Sequence, residues 1–167
     1  EVVVSATRGS STEHSQSYGS AEISPFKGSH DLRHTPQPVT VVTRQLMDEQ
    51  GTNDLQDVLT TLVPGVTISY TDSERIGYYA RGHQIDSMQV NGMTTVQSGS
   101  SMQQSDTYIY DRVEVLRGAT GLLRGAGNPS ASVNMVRKMP TRQWQGNAGV
   151  SLGSWDKRRI QAEISGP

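Results

Sequence analysis

Apolar and polar residues alternate with a period of two in the last part of the chain. Between residues 144 and 153 the even positions read W, G, A, V, L and the odd positions read Q, N, G, S, G. After a turn at Asp156 and Lys157 the alternation resumes, and Trp144 and Trp155 bracket the first strand. Strands of about 10 residues with one apolar face and aromatic ends are typical of a membrane β-barrel. The pattern predicts a hairpin over residues 143–167, either the first two strands of a barrel or an amphipathic hairpin of a soluble protein.

Helical periodicity is limited to two short segments in the middle of the chain. In the first, RQLMDEQ, Thr43 precedes the segment as a candidate N-cap and Gly51 follows it. In the second, NDLQDVLTTLVPG, apolar residues recur at i, i+3, i+4 and i+7 from residue 55, and Pro-Gly ends the run. Asn53 and Gln56 have the spacing of a capping box. We therefore expect two short helices.

Short runs with strong β propensity surround these helices. They are VTVV (39–42), VTISY (66–70), GYYARG (77–82), MQVNG (88–92), RVEVL (112–116) and SVNMV (132–136). Residues 39–142 are therefore predicted to form one α+β unit, a small mixed β-sheet with short helices and long apical loops. Residues 8–38 are rich in Ser, Gly, His and Pro and predict a linker or irregular segment.

The composition is poor in residues that build a core. Only 33% of the 167 residues are hydrophobic and 5% aromatic, so little apolar burial is available to offset the entropy of ordering the chain. With 19% charged residues and a net charge of -1, the chain does not have the composition of a charge-expanded disordered one. The near-neutral charge also argues against a nucleic-acid partner. Such a domain is expected to be enclosed by something else.

Catalytic motifs are weak in this sequence. His30 and His34 have H-x-x-x-H spacing, but Pro36 and Pro38 follow and the segment lacks helical periodicity, which argues against a zinc site. The glycine-rich stretch lacks the Gly-Lys-Ser/Thr of a phosphate loop, and no G-x-S-x-G elbow occurs. Cysteine is absent. We expect a protein that is not an enzyme and has no cofactor and no metal ligands of its own.

The segment 111–134, DRVEVLRGATGLLRGAGNPSASVN, joins a strand to a cluster of glycines and arginines. With the residues that follow, up to Pro140, it closely resembles the signature near the end of the plug domain in TonB-dependent outer-membrane receptors, in the branch that imports ferric siderophores. Further family motifs stand in the expected order: HTPQPVTVVTRQLMDEQG, LQDVLTTLVPGV, ERIGYYARG, VNGM and GSWDKRRIQAEISGP. The resemblance covers residues 34–167. The first residues, EVVVSA, also resemble a TonB box.

The resemblance implies a plug inside a barrel of about 22 strands whose lumen is filled. The location implied is the outer membrane of a Gram-negative bacterium, with the N-terminus facing the periplasm. The partners implied are the periplasmic domain of TonB, the protein's own C-terminal barrel and a ferric siderophore, in which the chelate holds the iron. The residues expected to pair with TonB are Glu1, Val2, Val3, Val4, Ser5 and Ala6.

The family also implies which residues meet the ligand and the barrel. Arg81 is expected either to donate hydrogen bonds to the chelate or to lock the plug to a barrel glutamate, because a guanidinium offers several donors. The candidate ligand-binding residues are Arg81, Tyr108, Gln97, Met102, Gln103 and Tyr79. The candidate contacts between plug and barrel wall are Arg112, Glu114, Arg117 and Arg124. His83 and Asn91 depart from the residues usual in the family, an aromatic and an aspartate.

A second function stays open on the sequence. A soluble periplasmic or extracellular interaction or signalling module, with no role in transport, would also combine a small α+β unit with a hairpin. It would differ from a plug by folding alone around a dry core. An additional signalling domain before Glu1 is compatible with the receptor interpretation.

Overall fold

The computed structural model describes residues 11–12, 17–20, 22–24, 30–31, 37–70, 72, 75–95, 102–103, 105–118 and 128–167. The expected TonB box, the ligand candidate Gln97 and the barrel contact Arg124 lie outside these residues. Within the segment expected to be irregular, strands β1 (Glu22–Ile23) and β2 (His30–Asp31) pair antiparallel. His30 is therefore in a strand, which is inconsistent with a helical pair of zinc ligands.

Five strands form the central sheet, in the order β3-β10-β11-β7-β8. They are β3 (Val39–Thr43), β7 (Ser87–Val90), β8 (Met93–Thr94), β10 (Tyr110–Arg117) and β11 (Ala131–Arg137). Strand β10 pairs antiparallel with both β3 and β11, and β11 pairs parallel with β7. The sheet is therefore mixed, as predicted, and β10 lies inside it with partners on both sides.

The two faces of the central sheet differ in chemistry. Val113 and Val115 of β10 and Val133 and Met135 of β11 belong to one continuous apolar core. Successive side chains of a strand point to opposite faces. The intervening positions carry Arg112, Glu114, Ser132 and Asn134, and these are also buried. One face is therefore apolar. The other, called the polar face below, is also covered and carries these polar residues together with Leu116 and Val136.

Helix α1 (Arg44–Gln50) forms where it was predicted. The side chain of Thr43 accepts a hydrogen bond from the Leu46 amide at 3.3 Å, and Gly51 ends the helix with φ +64°. Thr43 satisfies one of the free amides of the first turn, and glycine takes the left-handed conformation without a Cβ clash. Both ends of α1 were therefore readable from local chemistry.

The second helix differs from the prediction. Helix α2 (Leu55–Asp57) continues as a π-helical turn (Val58–Leu62), and the N-cap is Asp54, without a side-chain capping bond. The predicted capping box of Asn53 and Gln56 is wrong. Asn53 donates to the Gly51 carbonyl and Gln56 donates to the Tyr70 hydroxyl. The Asn53 carbonyl instead accepts from the Thr107 amide, so pairing with residues 105–107 sets the start of this helix.

A second sheet packs against the helices and holds β4 (Val66–Tyr70), β5 (Arg75–Ala80), β6 (His83–Gln84) and β9 (Met102–Gln103). Strand β5 pairs antiparallel with the other three. The turn after β5 has Arg81 and Gly82 at positive φ, and the turn after β7 has Asn91 and Gly92 at positive φ. Two-residue hairpin turns of this kind favour Asn-Gly, so Asn91 fits its position.

The predicted hairpin consists of β12 (Gln145–Leu152) and β13 (Arg158–Ser165), which pair antiparallel. Its large exposed apolar residues are Trp144, Val150, Leu152, Trp155, Ile160 and Ile164. The mixed sheet, short helices and hairpin confirm the predicted fold class. No helix in the described part of the chain has the length and apolar character needed to cross a membrane.

Candidate functional site

Arg81 lies in the turn between β5 and β6 and is exposed. Its φ of +55° is in the left-handed region, which non-glycine residues rarely occupy. The guanidinium reaches Gly118, where an added Cβ would lie 3.3 Å from Nη1. Gly118 directly follows the last residue of β10, so Arg81 is placed at the C-terminal end of that strand.

Tyr108 lies at the opposite end of β10. It precedes the strand in a turn closed by a hydrogen bond from the Tyr110 amide to the Thr107 carbonyl. The Lys138 ammonium lies 4.5 Å from the centre of the Tyr108 ring. An eight-residue strand is about 25 Å long. Arg81 and Tyr108 therefore lie at opposite ends of β10, which argues against a single pocket formed by both.

Met102 and Gln103 lie at the far end of the second sheet from Arg81. Gln103 pairs with Arg75 and Met102 pairs with Ile76, both at the start of β5. The Arg75 side chain is 66% exposed, and its Nε is 3.7 Å from a carboxylate oxygen of Asp72. The sequence analysis missed Arg75, because only the pairing of β9 with β5 brings this exposed guanidinium beside Gln103.

Tyr78 and Tyr79 point to opposite sides of β5. Tyr78 is buried in the apolar core, and burial raises its pKa to about 12. Tyr79 is half-buried and pairs with Thr67 on one side and Gln84 on the other. It shares the face of β5 that carries Arg75, since the two are an even number of residues apart. Of the two tyrosines, only Tyr79 remains partly accessible.

Arg112 and Glu114 lie inside the domain, not on its outer surface. Their side chains are 5% and 1% exposed, and Arg112 Nε donates to Glu114 Oε1 at 2.8 Å. Glu114 also accepts from Asn134, and Arg112 also pairs with Asp111. The expectation that these two residues contact a surrounding wall is therefore wrong. The buried charges require partners, and the fold supplies them internally.

Arg117 joins separate elements of the plug. Its Nη1 donates to the Pro64 carbonyl at 3.0 Å and its Nη2 to the Thr40 hydroxyl at 3.4 Å. The first contact reaches the loop between the π-helical turn and β4, and the second reaches β3. Arg117 is half-buried. The contacts described for it join elements within the plug.

The hairpin is attached to the plug by two ion pairs on its inner face. Arg159 donates two hydrogen bonds to Asp106, and Lys138 pairs with Glu163. The hydrogen bonds from Arg159 lower the pKa of Asp106. A polar cavity of about 300 Å³ lies between this face and α1. The residues that line it include Asp48, Asn53, Tyr108, Lys138, Asn147 and Gln161.

The chain thus combines a mixed sheet and short helices with a two-stranded hairpin whose outer side is apolar. Residues 31–132 match the family described as TonB-dependent Receptor Plug Domain. The chain belongs to this family.

Two similar proteins indicate which branch of this family the chain resembles. The chain is 44% identical over 170 residues to the ferric-pyoverdine 358 receptor of Pseudomonas putida, a match that covers 99% of this chain and 21% of that receptor. It is 46% identical over 141 residues to the ferripyoverdine receptor of Pseudomonas aeruginosa, with coverage of 81% and 17%. The chain thus spans about a fifth of the length of the curated relatives it matches. These relatives are named as receptors and not as enzymes.

The fold agrees with this assignment. The structure of the pyoverdine outer membrane receptor FpvA from Pseudomonas aeruginosa, bound to pyoverdine, superposes with a TM-score of 0.85 at 44% sequence identity. The match covers 93% of this chain and 23% of the receptor. The sequence-based assignment to the siderophore-receptor branch of the plug family is confirmed.

Proposed function

We propose that this chain is the plug of an outer-membrane receptor that binds a ferric siderophore from outside and gates its import. The observation that carries the proposal is the 44% identity, over nearly the whole chain, to a receptor solved with bound pyoverdine. The ligand class is a ferric chelate of the pyoverdine type. Its iron is held by the chelate, so the plug supplies hydrogen bonds and contact area but no metal ligands.

The chelate is assigned to the end of the second sheet where β9 meets β5. Arg75 is exposed there and offers hydrogen-bond donors, and backbone pairing brings Gln103 opposite it. A guanidinium donates to chelate oxygens without competing for iron, and a methionine such as Met102 adapts to irregular apolar surfaces. Tyr79, on the same face of β5 as Arg75, and Gln97, six residues before Gln103 in the sequence, complete the proposed set.

Arg81 is assigned to a contact between plug and barrel and not to the chelate. Its guanidinium lies beside Gly118, while Arg75 stands at the opposite end of β5, about 17 Å away along the strand. An exposed arginine in that position is suited to a barrel carboxylate. Tyr108 is assigned to the plug–hairpin boundary, where Lys138 covers its ring.

Energy for import is proposed to come from TonB. Residues 1–6 would add as an edge strand to a sheet of the TonB periplasmic domain, where backbone hydrogen bonds supply affinity with little side-chain specificity. In this arrangement the plug occupies the barrel lumen in the outer membrane and its N-terminus faces the periplasm. A pull on residues 1–6 would rearrange the plug and open a path.

The test compares three arginine variants in the full-length receptor: Arg75→Ala, Arg81→Ala and, as the matched control, the exposed Arg142→Ala. Ferric pyoverdine binding and uptake of radioactive iron are measured for each. Loss of hydrogen bonds from a charged donor should raise the Kd of Arg75→Ala at least about tenfold. Arg81→Ala and Arg142→Ala should keep the parent Kd.

Two results would contradict these assignments. A raised Kd in Arg81→Ala with a parent-like Kd in Arg75→Ala would move the ligand to the turn between β5 and β6. Failure of the parent receptor to bind or import any ferric siderophore would refute the proposed function itself.

A further inference from the structure

A strap of N-terminal residues crosses the polar face of the central sheet. We define the strap as residues 11–12, 17–20 and 22–24. Thr12 contacts Asp111 of β10, the Ser17 carbonyl accepts from the Thr43 hydroxyl, and Ser24 contacts Glu114. The strap therefore connects the N-terminal end of the chain to the middle of the fold.

Asp111 forms the first fastening of the strap. Its carboxylate accepts from the Thr12 amide at 2.8 and 3.1 Å and from the Ser11 hydroxyl at 2.7 Å. The Thr12 hydroxyl donates in turn to the Asp111 carbonyl at 2.8 Å. Asp111 and Thr12 are both buried. Charge-assisted bonds of this kind are stronger than bonds between neutral groups.

Glu114 forms the second fastening, one step further along the strap. Its two carboxylate oxygens accept from the Ser24 amide at 3.0 and 3.1 Å. Arg112 donates to the Ser24 hydroxyl at 2.7 Å and forms ion pairs with both Asp111 and Glu114. One guanidinium thus holds the two carboxylates in position for two amides of the strap.

The face of the sheet that carries these fastenings combines buried polar side chains with the buried apolar residues Leu116 and Val136. Glu114 accepts from Asn134, and the hydroxyls of Ser87 and Ser132 lie 2.6 Å apart. Gln89 is buried on the same face, and its Oε1 has no hydrogen-bond partner among the described residues. Water can satisfy such groups when the strap leaves. Parting the opposite face would instead expose the continuous apolar core that includes Val113, Val115, Val133 and Met135 to water, which is unfavourable.

We infer that Asp111 and Glu114 are positioning residues that fasten the strap, and that a pull on the N-terminus detaches the strap from the sheet while the apolar core stays closed. The two fastenings open in series, Thr12 from Asp111 and then Ser24 from Glu114. The inference rests on the proposed function only for the source of the pull. The strap is then the part of the plug that moves first, and Asp111 and Glu114 determine the force needed to detach it.

The test is single-molecule pulling on the full-length receptor in a lipid bilayer, through a handle attached covalently at Glu1→Cys. Opening of the first fastening, together with the Thr43–Ser17 hydrogen bond that follows it along the strap, should release the chain between Thr12 and Ser24, a length of at most about 40 Å. Asp111→Asn should raise the rate of that step at fixed force at least about tenfold, and Glu114→Gln should do the same for the second step.

Milder and matched variants keep the test decisive if a buried substitution prevents folding. Ser11→Ala and Ser24→Ala each remove one hydroxyl contact of a fastening and should accelerate only the first and the second step, respectively. Asp106→Asn also removes a carboxylate paired to an arginine, but it lies away from the strap. It should leave both steps unchanged.

A first step much longer than 40 Å, or unchanged rates in both serine variants, would overturn the inference, because the sheet would then open together with the strap. The covalent handle makes the result independent of TonB. Iron uptake by the same receptor tests the proposed function separately: a receptor with two short steps but no uptake would refute that function and leave the fastenings in place.

Discussion

The carboxylate of Asp106 accepts two hydrogen bonds from the guanidinium of Arg159, at 2.6 and 2.9 Å. Asp106 stands in the loop before β10, and Arg159 stands on the inner side of β13. A two-point contact of this kind fixes orientation as well as distance. It aligns the hairpin with the plug at the position where the two parts of the chain meet.

This pair should contribute modestly to stability, because the Asp106 side chain is half exposed. A double-mutant cycle of Asp106→Asn and Arg159→Gln should give a coupling energy of at most about 1 kcal/mol. The readout is urea unfolding of the plug in the full-length receptor near neutral pH. A coupling several times larger would mean that water is excluded from the pair.

The same pair predicts a direction of pH dependence. Arg159 lowers the pKa of Asp106 below its unfolded value. The stabilisation is therefore complete above the unfolded pKa of the carboxyl group and is lost as the pH falls through the lower, folded pKa. Coupling measured in the double-mutant cycle should shrink as the pH falls below the ordinary pKa of an aspartate carboxyl group, about 3.9. Coupling that grows on acidification would contradict this assignment.

Removal of Glu114 should be far more costly than removal of Asp106. Glu114→Ala removes one of the two carboxylates that pair with the buried guanidinium of Arg112 in the described part of the chain. It should lower the free energy of plug unfolding by about 3–5 kcal/mol. The double variant Arg112→Met with Glu114→Leu should recover part of this loss, since it removes both charges. Equal losses in the single and double variants would show that hydrogen bonds to the strap dominate.

Asn91 offers a test of turn chemistry. It occupies the left-handed region at φ +51°, and its side-chain oxygen accepts from the Arg137 amide at 2.8 Å. Asn91→Asp keeps an acceptor and should change plug stability by less than about 0.5 kcal/mol. Asn91→Val should cost about 1–2 kcal/mol, because a β-branched residue is strained at positive φ. Similar losses of stability in both variants would mean that the side-chain amide of Asn91, and not its tolerance of positive φ, stabilises this turn.

The proposed TonB box is tested by Val3→Pro. Proline lacks the backbone donor needed for strand addition, so iron uptake should fall to the level of cells without TonB. Affinity for the ferric siderophore should stay at the parent value, since the ligand site is elsewhere. Val3→Ile, which keeps the donor and the β propensity, serves as the control and should import normally. Parent-rate uptake by Val3→Pro would exclude pairing through this residue.

The local sequence correctly predicted both ends of α1 but not the N-terminal cap of the second helix. For α1, Thr43 and Gly51 act on backbone groups only a few residues away, so the sequence contains the whole cause. The second helix starts where it does because the Asn53 carbonyl accepts from the Thr107 amide. A contact across more than fifty residues leaves no trace in a local motif.

The candidate site was predictable only in part for a related reason. Alternation along β10 correctly separates Val113 and Val115 from Arg112 and Glu114, but it does not say what covers the polar face. That cover comes from the strap, a segment whose composition indicated only an irregular linker. Likewise, the motif ERIGYYARG contains two arginines, and strand pairing with β9 decides which of them stands beside Gln103.

The hairpin has a practical consequence for any experiment on this stretch of the receptor alone. Among the described strands, β12 and β13 pair only with each other, so each keeps one backbone edge without a neighbour. The outward side chains of Trp155 and Ile160 are fully or almost fully exposed. Unpaired edges beside apolar side chains favour self-association. Shortening the chain to end at Arg142 should therefore improve its solubility, and the plug could then be measured without interference from these adhesive strands.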